Sequence, residues 1–221
     1  MTDDRPRLLD LFCCSGGAGM GYRRAGFQVT GVDIAPRPRY PSTFVKGDAL
    51  AYLTMLIRDG LISRFTLIHA SPPCQAYCAI TKGTNKGRNN DHPKLYEPTR
   101  ELLEQTGVPY VIENPEARAD VVLCGEMFDL GVIRHRKMEL GGWSTERPEH
   151  VKHRGRVRGW RHGEYFYGPY IAAYGDGGGK GDVPEIQQAM GIDWTDEREE
   201  LIEAIPPAYT EWIGRRFLAS L

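Results

Sequence analysis

The stretch "RLLDLFCCSGGAGMGYRRAGFQVTGVDI", residues 7–34, decides the fold. An apolar run (7–14) ends in clustered glycines, the glycines open a short helical stretch (17–27), and a second apolar run (28–34) carries Asp33 near its end. Strand, glycine turn, helix and strand in that order predict two parallel strands, because a parallel connection needs a crossover that is usually helical.

The same alternation continues outward. "STFVKGDAL" (42–50) reads as a third strand turning into the helix "ALAYLTMLIRDG" (49–60), and "FTLIHA" (65–70) reads as a fourth strand. A polar segment rich in Gly and Asn (81–92) precedes the helix "KLYEPTRELLEQTG" (94–107) and the strand "PYVIENP" (109–115). Together these predict an α/β protein with a mostly parallel, doubly wound sheet covered by helices on both faces.

The pattern changes after about residue 140. Residues 141–183 are rich in Gly, Arg, His and aromatics and show no helical period, so they are read as a small lobe. Helices return at 184–192 and 196–205, and Pro206-Pro207 introduces a terminal helix. The expected organisation is a core over 1–140, a lobe over 141–183 and helices over 184–221 that rejoin the core. No internal repeat interrupts it.

At 221 residues, with 41% hydrophobic and 26% charged residues and a formal net charge of −1, the chain has a globular composition. The near-neutral balance excludes a polycation but not a local basic patch for phosphates. No 18-residue apolar run is present, so no membrane span is expected. The first apolar run is broken by Asp10 and lacks a cleavage-like flank, so no signal peptide is expected. Five cysteines, two of them adjacent, suit free thiols and a reducing cytoplasm better than a disulfide framework.

Two regions carry candidate chemistry. In a doubly wound sheet a ligand sits beyond the carboxyl ends of the strands, where strand order reverses. Gly16, Gly17, Gly19 and Gly21 lie there after the first strand, Asp33 ends the second, and Asp48 follows the third. Carboxylates at these ends can accept hydrogen bonds from ribose hydroxyls and an adenine amino group. The spacing is not the dinucleotide fingerprint, whose third glycine would fall on Tyr22, and no Lys-Ser/Thr of a phosphate-binding loop is present. A nucleoside-containing cofactor and a plain strand–helix turn both remain open.

The second region is "LIHASPPCQAYC" (67–78). Pro72 and Pro73 stiffen the turn that presents Cys74 on the same carboxyl edge. Cys74 reads equally as a nucleophile or as a packed thiol. Cys74 and Cys78 are spaced C-x3-C, but no second pair follows at zinc spacing, so no metal is expected.

The ordered segments "DLFCCSGGAGMGYRRAGF", "VDI", "GDA", "SPPCQ", "VIENP", "RHR" and "EAIPPAY" resemble the motif set of the DNA cytosine carbon-5 methyltransferases over residues 8 to about 215, apart from 141–183. The resemblance implies a Rossmann-like fold and a methyl donor, S-adenosylmethionine, held by Phe12, Gly16, Gly17, Gly19, Asp33, Ile34, Asp48, Ala49 and Pro72. It implies Cys74 as the thiol that adds to carbon 6 of a flipped-out cytosine. Glu113 would contact ring nitrogen 3 and the exocyclic amine, and Arg134 and Arg136 would hold the base and the nucleophile.

The same resemblance makes 141–183 a target-recognition lobe, shorter than is usual, with duplex DNA as the partner and a monomer as the working state. Within it "HVKHRGRVRGWRHG" (150–163) carries five Lys/Arg, three His and no acid. Lys152, Arg154, Arg156, Arg158, Arg161 and Trp160, with Lys180 in a Gly-rich loop and Gln75 beside the cysteine, are the candidate nucleic-acid contacts. The same chemistry on RNA or a free or modified nucleotide stays open, as does a catalytically idle DNA-binding regulator. The sequence departs from the family's pattern at Cys13-Cys14-Ser15, at Ile202-Glu203 where Gly-Asn is usual, and at "ENP" in place of "ENV".

Overall fold

The computed structural model describes residues 4–73, 94–174 and 180–221. Its centre is a seven-stranded sheet built from β1 (Arg7–Leu11), β2 (Gln28–Asp33), β3 (Thr43–Lys46), β4 (Leu67–Ala70), β5 (Tyr110–Glu113), β6 (Val121–Leu123) and β7 (Arg136–Gly141). The strand order is β3-β2-β1-β4-β5-β7-β6. All pairings from β3 through β5 are parallel, and β7 runs antiparallel between β5 and β6.

Sequence alternation explains the layers. Successive strand residues point to opposite faces, so Leu8, Val29, Leu67 and Val111 pack on one side, and Leu9, Leu11, Val32, Ile68 and Ile112 on the other. The first face is covered by α1 (Gly17–Ala25) and α6 (Pro207–Leu218), through Tyr22, Tyr209, Ile213 and Phe217. The second is covered by α2 (Ala49–Arg58) and α3 (Tyr96–Thr106), through Leu53, Leu56 and Leu103. Strands sandwiched in this way read as continuous apolar runs, as "RLLDL" does.

Helix α1 meets α6 at unusually close range. A Cβ on Gly21 would lie 2.1 Å from both the Pro207 carbonyl and Thr210 Oγ1, so only glycine permits the contact. Thr210 Oγ1 donates to the Ala18 carbonyl at 2.8 Å in the same seam. The terminal helix is thereby fixed behind the glycine loop.

Beyond the sheet, β8 (Gly159–Arg161) and β9 (Glu164–Phe166) form a two-stranded hairpin within the irregular stretch. Helices α4 (Val183–Met190) and α5 (Arg198–Glu203) then pack in a third apolar cluster with Val132 and Ala173. No described helix is long and apolar enough to cross a membrane. Cys13, Cys14 and Cys124 are free thiols.

The sequence alternation located the helices and strands through residue 113 to within a few residues. It did not place β6, and "RHRKMEL" left a solvated basic edge strand open. β7 is instead interior, with Met138, Glu139, Leu140 and Gly141 buried and only its first two residues outside.

One buried pair gives the core an expected pH behaviour. Asp10 and His69 are register partners on adjacent parallel strands, and both are fully buried. Tyr40 Oη donates to Asp10 Oδ2 at 2.9 Å, while Tyr22 Oη and Ser71 Oγ lie 3.1 and 2.9 Å from the two His69 ring nitrogens. Burial pushes the Asp10 carboxyl up to about 7, and burial pushes His69 down to about 3.

Stability contributed by Asp10 is therefore complete below its unfolded value of 3.8 and fades as pH rises to about 7. His69 contributes stability that is complete above 6.5 and fades as pH falls toward about 3. Between these limits the folded pair carries its proton on Asp10 and the unfolded pair carries one on His69. The two slopes oppose each other.

Asp10→Asn removes one of them. The variant is expected to lose stability on acidification from pH 6.5, by at most about 1.4 kcal/mol per pH unit. Urea midpoints of wild type and variant across this range check it; parallel pH dependences for the two proteins would count against the pairing.

Candidate active site

The sheet reverses its winding between β1 and β4, so the crevice lies at their carboxyl ends. The loop leaving β1 is wound tightly there. Phe12, Cys14 and Gly16 have φ of 58°, 45° and 86°, left-handed values that cost a side-chain-bearing residue about 1–3 kcal/mol. Backbone hydrogen bonds hold it: Cys13 N–H donates to the Val32 carbonyl at 3.1 Å, and Gly16 N–H to the Cys13 carbonyl at 2.9 Å. Cys14 thus sits in a conformation that favours glycine, within the Cys13-Cys14-Ser15 stretch where the sequence departs from the family's pattern.

Asp33 joins this loop to the end of β2. Its Oδ2 accepts from Cys14 N–H and its Oδ1 from Ala35 N–H, both at 2.9 Å, and Arg37 Nε lies 3.4 Å from Oδ1. Next to it Ile34 is 71% exposed, an apolar side chain left uncovered at the crevice edge. Asp48 caps α2 by accepting from Ala51 N–H at 2.8 Å, and Ala49 is buried in the first turn. Gly17 and Gly19 lie in the first turn of α1, Gly17 against the Ile205 carbonyl and Gly19 against Asp10 and Tyr40.

The donor set suits a nucleoside: two carboxylates on successive strand ends, an exposed aliphatic face at Ile34 and the half-buried ring of Phe12. Trp194 Nε1 donates to the Ser15 carbonyl at 2.7 Å and Ser15 Oγ to the Glu200 carbonyl at 3.4 Å, so the C-terminal segment braces the loop. At Ile202-Glu203, the departure from the family's Gly-Asn, Arg134 binds the Ile202 carbonyl and Cys14 Sγ lies 3.8 Å from Glu203 Oε2.

Across the crevice stand β4 and β5. Ser71 N–H donates to the Leu11 carbonyl at 3.2 Å, and Pro72 is buried. Cys74, Gln75 and Cys78 lie outside the described residues, as do 81–92 and residues 175–179 of the Gly-rich loop. Asn114, fully buried after β5, donates from Nδ2 to the Pro72 carbonyl at 3.1 Å. Its Oδ1 accepts from Glu116 N–H at 3.1 Å, closing the "ENP" turn.

Glu113 ends β5 and meets Arg136, the first residue of β7, with Nε 3.1 Å from Oε1. Burial pushes the Glu113 carboxyl above the usual carboxylate range, and Arg136 and Arg134 pull it part of the way back. Arg134 donates to the carbonyls of Ala173 at 2.9 Å and Ile202 at 2.5 Å, and Tyr209 Oη donates to the Arg134 carbonyl at 2.7 Å. The Arg-x-Arg turn is thus held by the irregular stretch and by both C-terminal helical segments.

The candidate nucleic-acid contacts divide by environment. Lys152, Arg156 and Trp160 are exposed, with Arg156 5.8 Å above the Phe166 ring. Arg154 pairs with Glu126 and Asp129 at 2.9 and 2.6 Å, and Arg158 pairs with Glu185. Lys180 lies over the Tyr174 ring at 3.6 Å. Arg161 contributes backbone to β8, and its side chain is outside the described part. Trp160, Tyr165 and Tyr167 form an edge-to-face ladder with Trp160 63% and Tyr167 87% exposed.

Sequence reasoning missed three positioning residues. Asn114 was visible in "ENP" but reads as a turn former, and Tyr209 was visible in "PPAY" but reads as helix. Tyr40, whose ring fills the space beside Gly16, Gly19 and Gly31, follows an unpatterned Pro/Arg stretch that gives no signal.

No protein-family model and no curated protein matches the chain. Among solved structures it is similar to the Entamoeba histolytica methyltransferase EhMeth, at 12% identity and a TM-score of 0.62 over 98% of this chain and 99% of that one. It is similar likewise to the S. pombe Dnmt2 methyltransferase, at 14% identity and a TM-score of 0.59 over 98% and 99%. Against a prophage-encoded putative DNA modification methyltransferase of E. coli the identity is 17% over 61% of this chain, the TM-score 0.42, and the chain spans 46% of that protein's length. The first two likenesses bear out the expected fold class, a Rossmann-like α/β fold around a mostly parallel sheet.

Proposed function

We propose that the chain methylates carbon 5 of cytosine in DNA, using S-adenosylmethionine and a transient bond from Cys74. One hydrogen bond carries the reading: Asn114 Nδ2 to the Pro72 carbonyl at 3.1 Å. Glu113 adjoins one partner of that bond, and Cys74 follows the other by two residues. The bond fastens the chain just before the cysteine to the strand end that carries the acid, and in this reading the two groups act on one base.

Carbon 5 of cytosine is too weak a nucleophile to take a methyl group unaided. The Cys74 thiolate adds to carbon 6, and the Glu113 carboxyl donates its proton to ring nitrogen 3, so the ring gains enamine character at carbon 5. Burial, by raising Glu113, keeps that proton available. Arg136 holds the Glu113 carboxyl in place. Bound S-adenosylmethionine supplies the electrophilic methyl group, with Asp33, Asp48, Ile34 and Phe12 as its holders and Gly16, Gly17, Gly19, Ala49 and Pro72 around it. Loss of the carbon-5 proton to a base then expels the thiol.

Residues 141–183 serve as the recognition lobe in this reading, between a core over 1–140 and the returning helices over 184–221. Lys152 and Arg156 meet phosphates, the exposed rings of Trp160 and Tyr167 offer faces for base stacking, and Lys180, Arg161 and Gln75 complete the contact set. Arg154 and Arg158, engaged by carboxylates, shape the lobe more than they meet DNA.

The test incubates protein, methyl-labelled S-adenosylmethionine and duplex DNA, single-stranded DNA, RNA or dCMP, then digests to nucleosides. Labelled 5-methyldeoxycytidine is expected from duplex DNA. Label in RNA or dCMP alone would move the substrate, and label in none of them would overturn the reaction.

Asn114→Ala is expected to lower kcat by about 10²-fold through misplacement of the cysteine turn. It should cost about 1–3 kcal/mol of stability by leaving the Pro72 carbonyl and Glu116 N–H without their partner. Cofactor affinity, measured by titration calorimetry, should fall far less than kcat, because Pro72 is only one of the residues around the cofactor. Equal losses in kcat and cofactor affinity would point to general unfolding of the crevice instead.

A further inference from the structure

Four side chains that the proposed chemistry does not use converge on one point. Cys124 follows β6, His135 is the middle residue of the Arg-x-Arg turn, and His150 and His153 come from the start of the basic stretch. One ligand atom from each lies within 4.8 Å of all the others. Cys124 Sγ is 3.3 Å from His153 Nε2, and His135 Nε2 is 3.0 Å from His150 Nε2. The three imidazole rings sit 5.0–5.4 Å apart, centroid to centroid, around the thiol.

We propose that Cys124, His135, His150 and His153 form a structural zinc site that fastens the basic stretch to the Arg-x-Arg turn. Zinc bonds of about 2.0–2.1 Å to nitrogen and about 2.3 Å to sulfur imply tetrahedral ligand–ligand edges of roughly 3.3–3.7 Å. The Cys124–His153 and His135–His150 contacts, at 3.3 and 3.0 Å, lie within a few tenths of an ångström of that range. One thiolate and three imidazoles fill four positions, the closed set of a structural rather than a catalytic centre. Binding releases the thiol proton of Cys124, and each histidine donates a ring lone pair.

The surroundings explain what such an ion would do. None of residues 144–170 belongs to the three apolar clusters, so this stretch has little core of its own. Segments too small to bury a core are commonly held by a metal or disulfides. The stretch is also pinned to the turn after Cys124 by Arg154 with Glu126 and by Tyr170 Oη, which donates to Glu126. His135 lies between Arg134 and Arg136, so the ion would tie the lobe directly to the groups that brace Glu113. The expectation of no metal rested on the lack of a second pair at zinc spacing beside Cys74 and Cys78; these ligands come from three separate segments and meet only in the fold.

The test is metal analysis of the full chain purified from zinc-supplemented medium without chelator. About one zinc per chain is expected after desalting, as a closed four-ligand site requires. After chelation and reconstitution with Co²⁺, the protein should show tetrahedral d–d bands and a thiolate-to-cobalt charge-transfer band, and Cys124→Ser should lose the latter. His150→Ala removes an exposed ligand, so a folded variant with its metal content reduced to near zero is expected. His162→Ala, outside the cluster, should keep its zinc. A wild-type protein that retains neither zinc nor cobalt would overturn the proposal. So would a His150→Ala protein that retains as much metal as wild type.

Discussion

Replacing Cys74 by serine is expected to lower kcat for cytosine methylation by about 10⁴-fold or more, the scale on which removing a nucleophile acts. The hydroxyl is far less acidic than a thiol, so almost no alkoxide is present near neutral pH to add to carbon 6. Without that addition carbon 5 lacks the electron density to take the methyl group. Binding of cofactor should survive, because the holders proposed for it, Phe12, Asp33, Ile34 and Asp48, lie at or just beyond the ends of β1, β2 and β3. Steady-state methylation and cofactor titration on the same preparation separate the two effects. Similar turnover in the serine variant would remove the thiol from the mechanism.

Glu113→Gln is expected to cost about 10²–10⁴-fold in kcat, the usual scale of a general acid. Glutamine keeps the size and can still hydrogen-bond, but it cannot deliver a proton to ring nitrogen 3. The pH profile gives the sharper readout. Burial raises Glu113, with Arg136 and Arg134 opposing, so the protonated, active form declines as pH rises through that raised value. Wild-type activity should fall along this limb, and the glutamine variant should show a low rate without it. A limb that persists in Glu113→Gln belongs to another group.

The physical reason for what was legible is plain at individual residues. β1, β2 and β4 are buried on both faces, so "RLLDL", "QVTGVD" and "LIHA" announce themselves as apolar runs between turn signals. β7 begins with Arg136 and Lys137, and those charges disguised a strand whose last four residues are interior. The Glu113–Arg136 contact joins strands that are antiparallel neighbours, which no local pattern reveals; the resemblance named both residues for the site but not their contact.

Asn114 shows the same limit from the other direction. Its type and its proline neighbour mark a turn, but the partner that gives the turn its importance lies 42 residues away. The Cys124–histidine cluster is less visible still, because only His150 and His153 are close in sequence and their partners come from separate segments.

The central claim is that Cys74 bonds to cytosine during turnover. Oligonucleotides carrying 5-fluorocytosine at the target test it most directly, since fluorine cannot leave as the carbon-5 proton does and the adduct persists. With S-adenosylmethionine present, a denaturation-resistant complex should form, and peptide mapping should place the nucleotide on Cys74. Its absence in Cys74→Ser would complete the result. A complex mapped to another residue, or none with DNA or RNA that the enzyme methylates, would contradict the account.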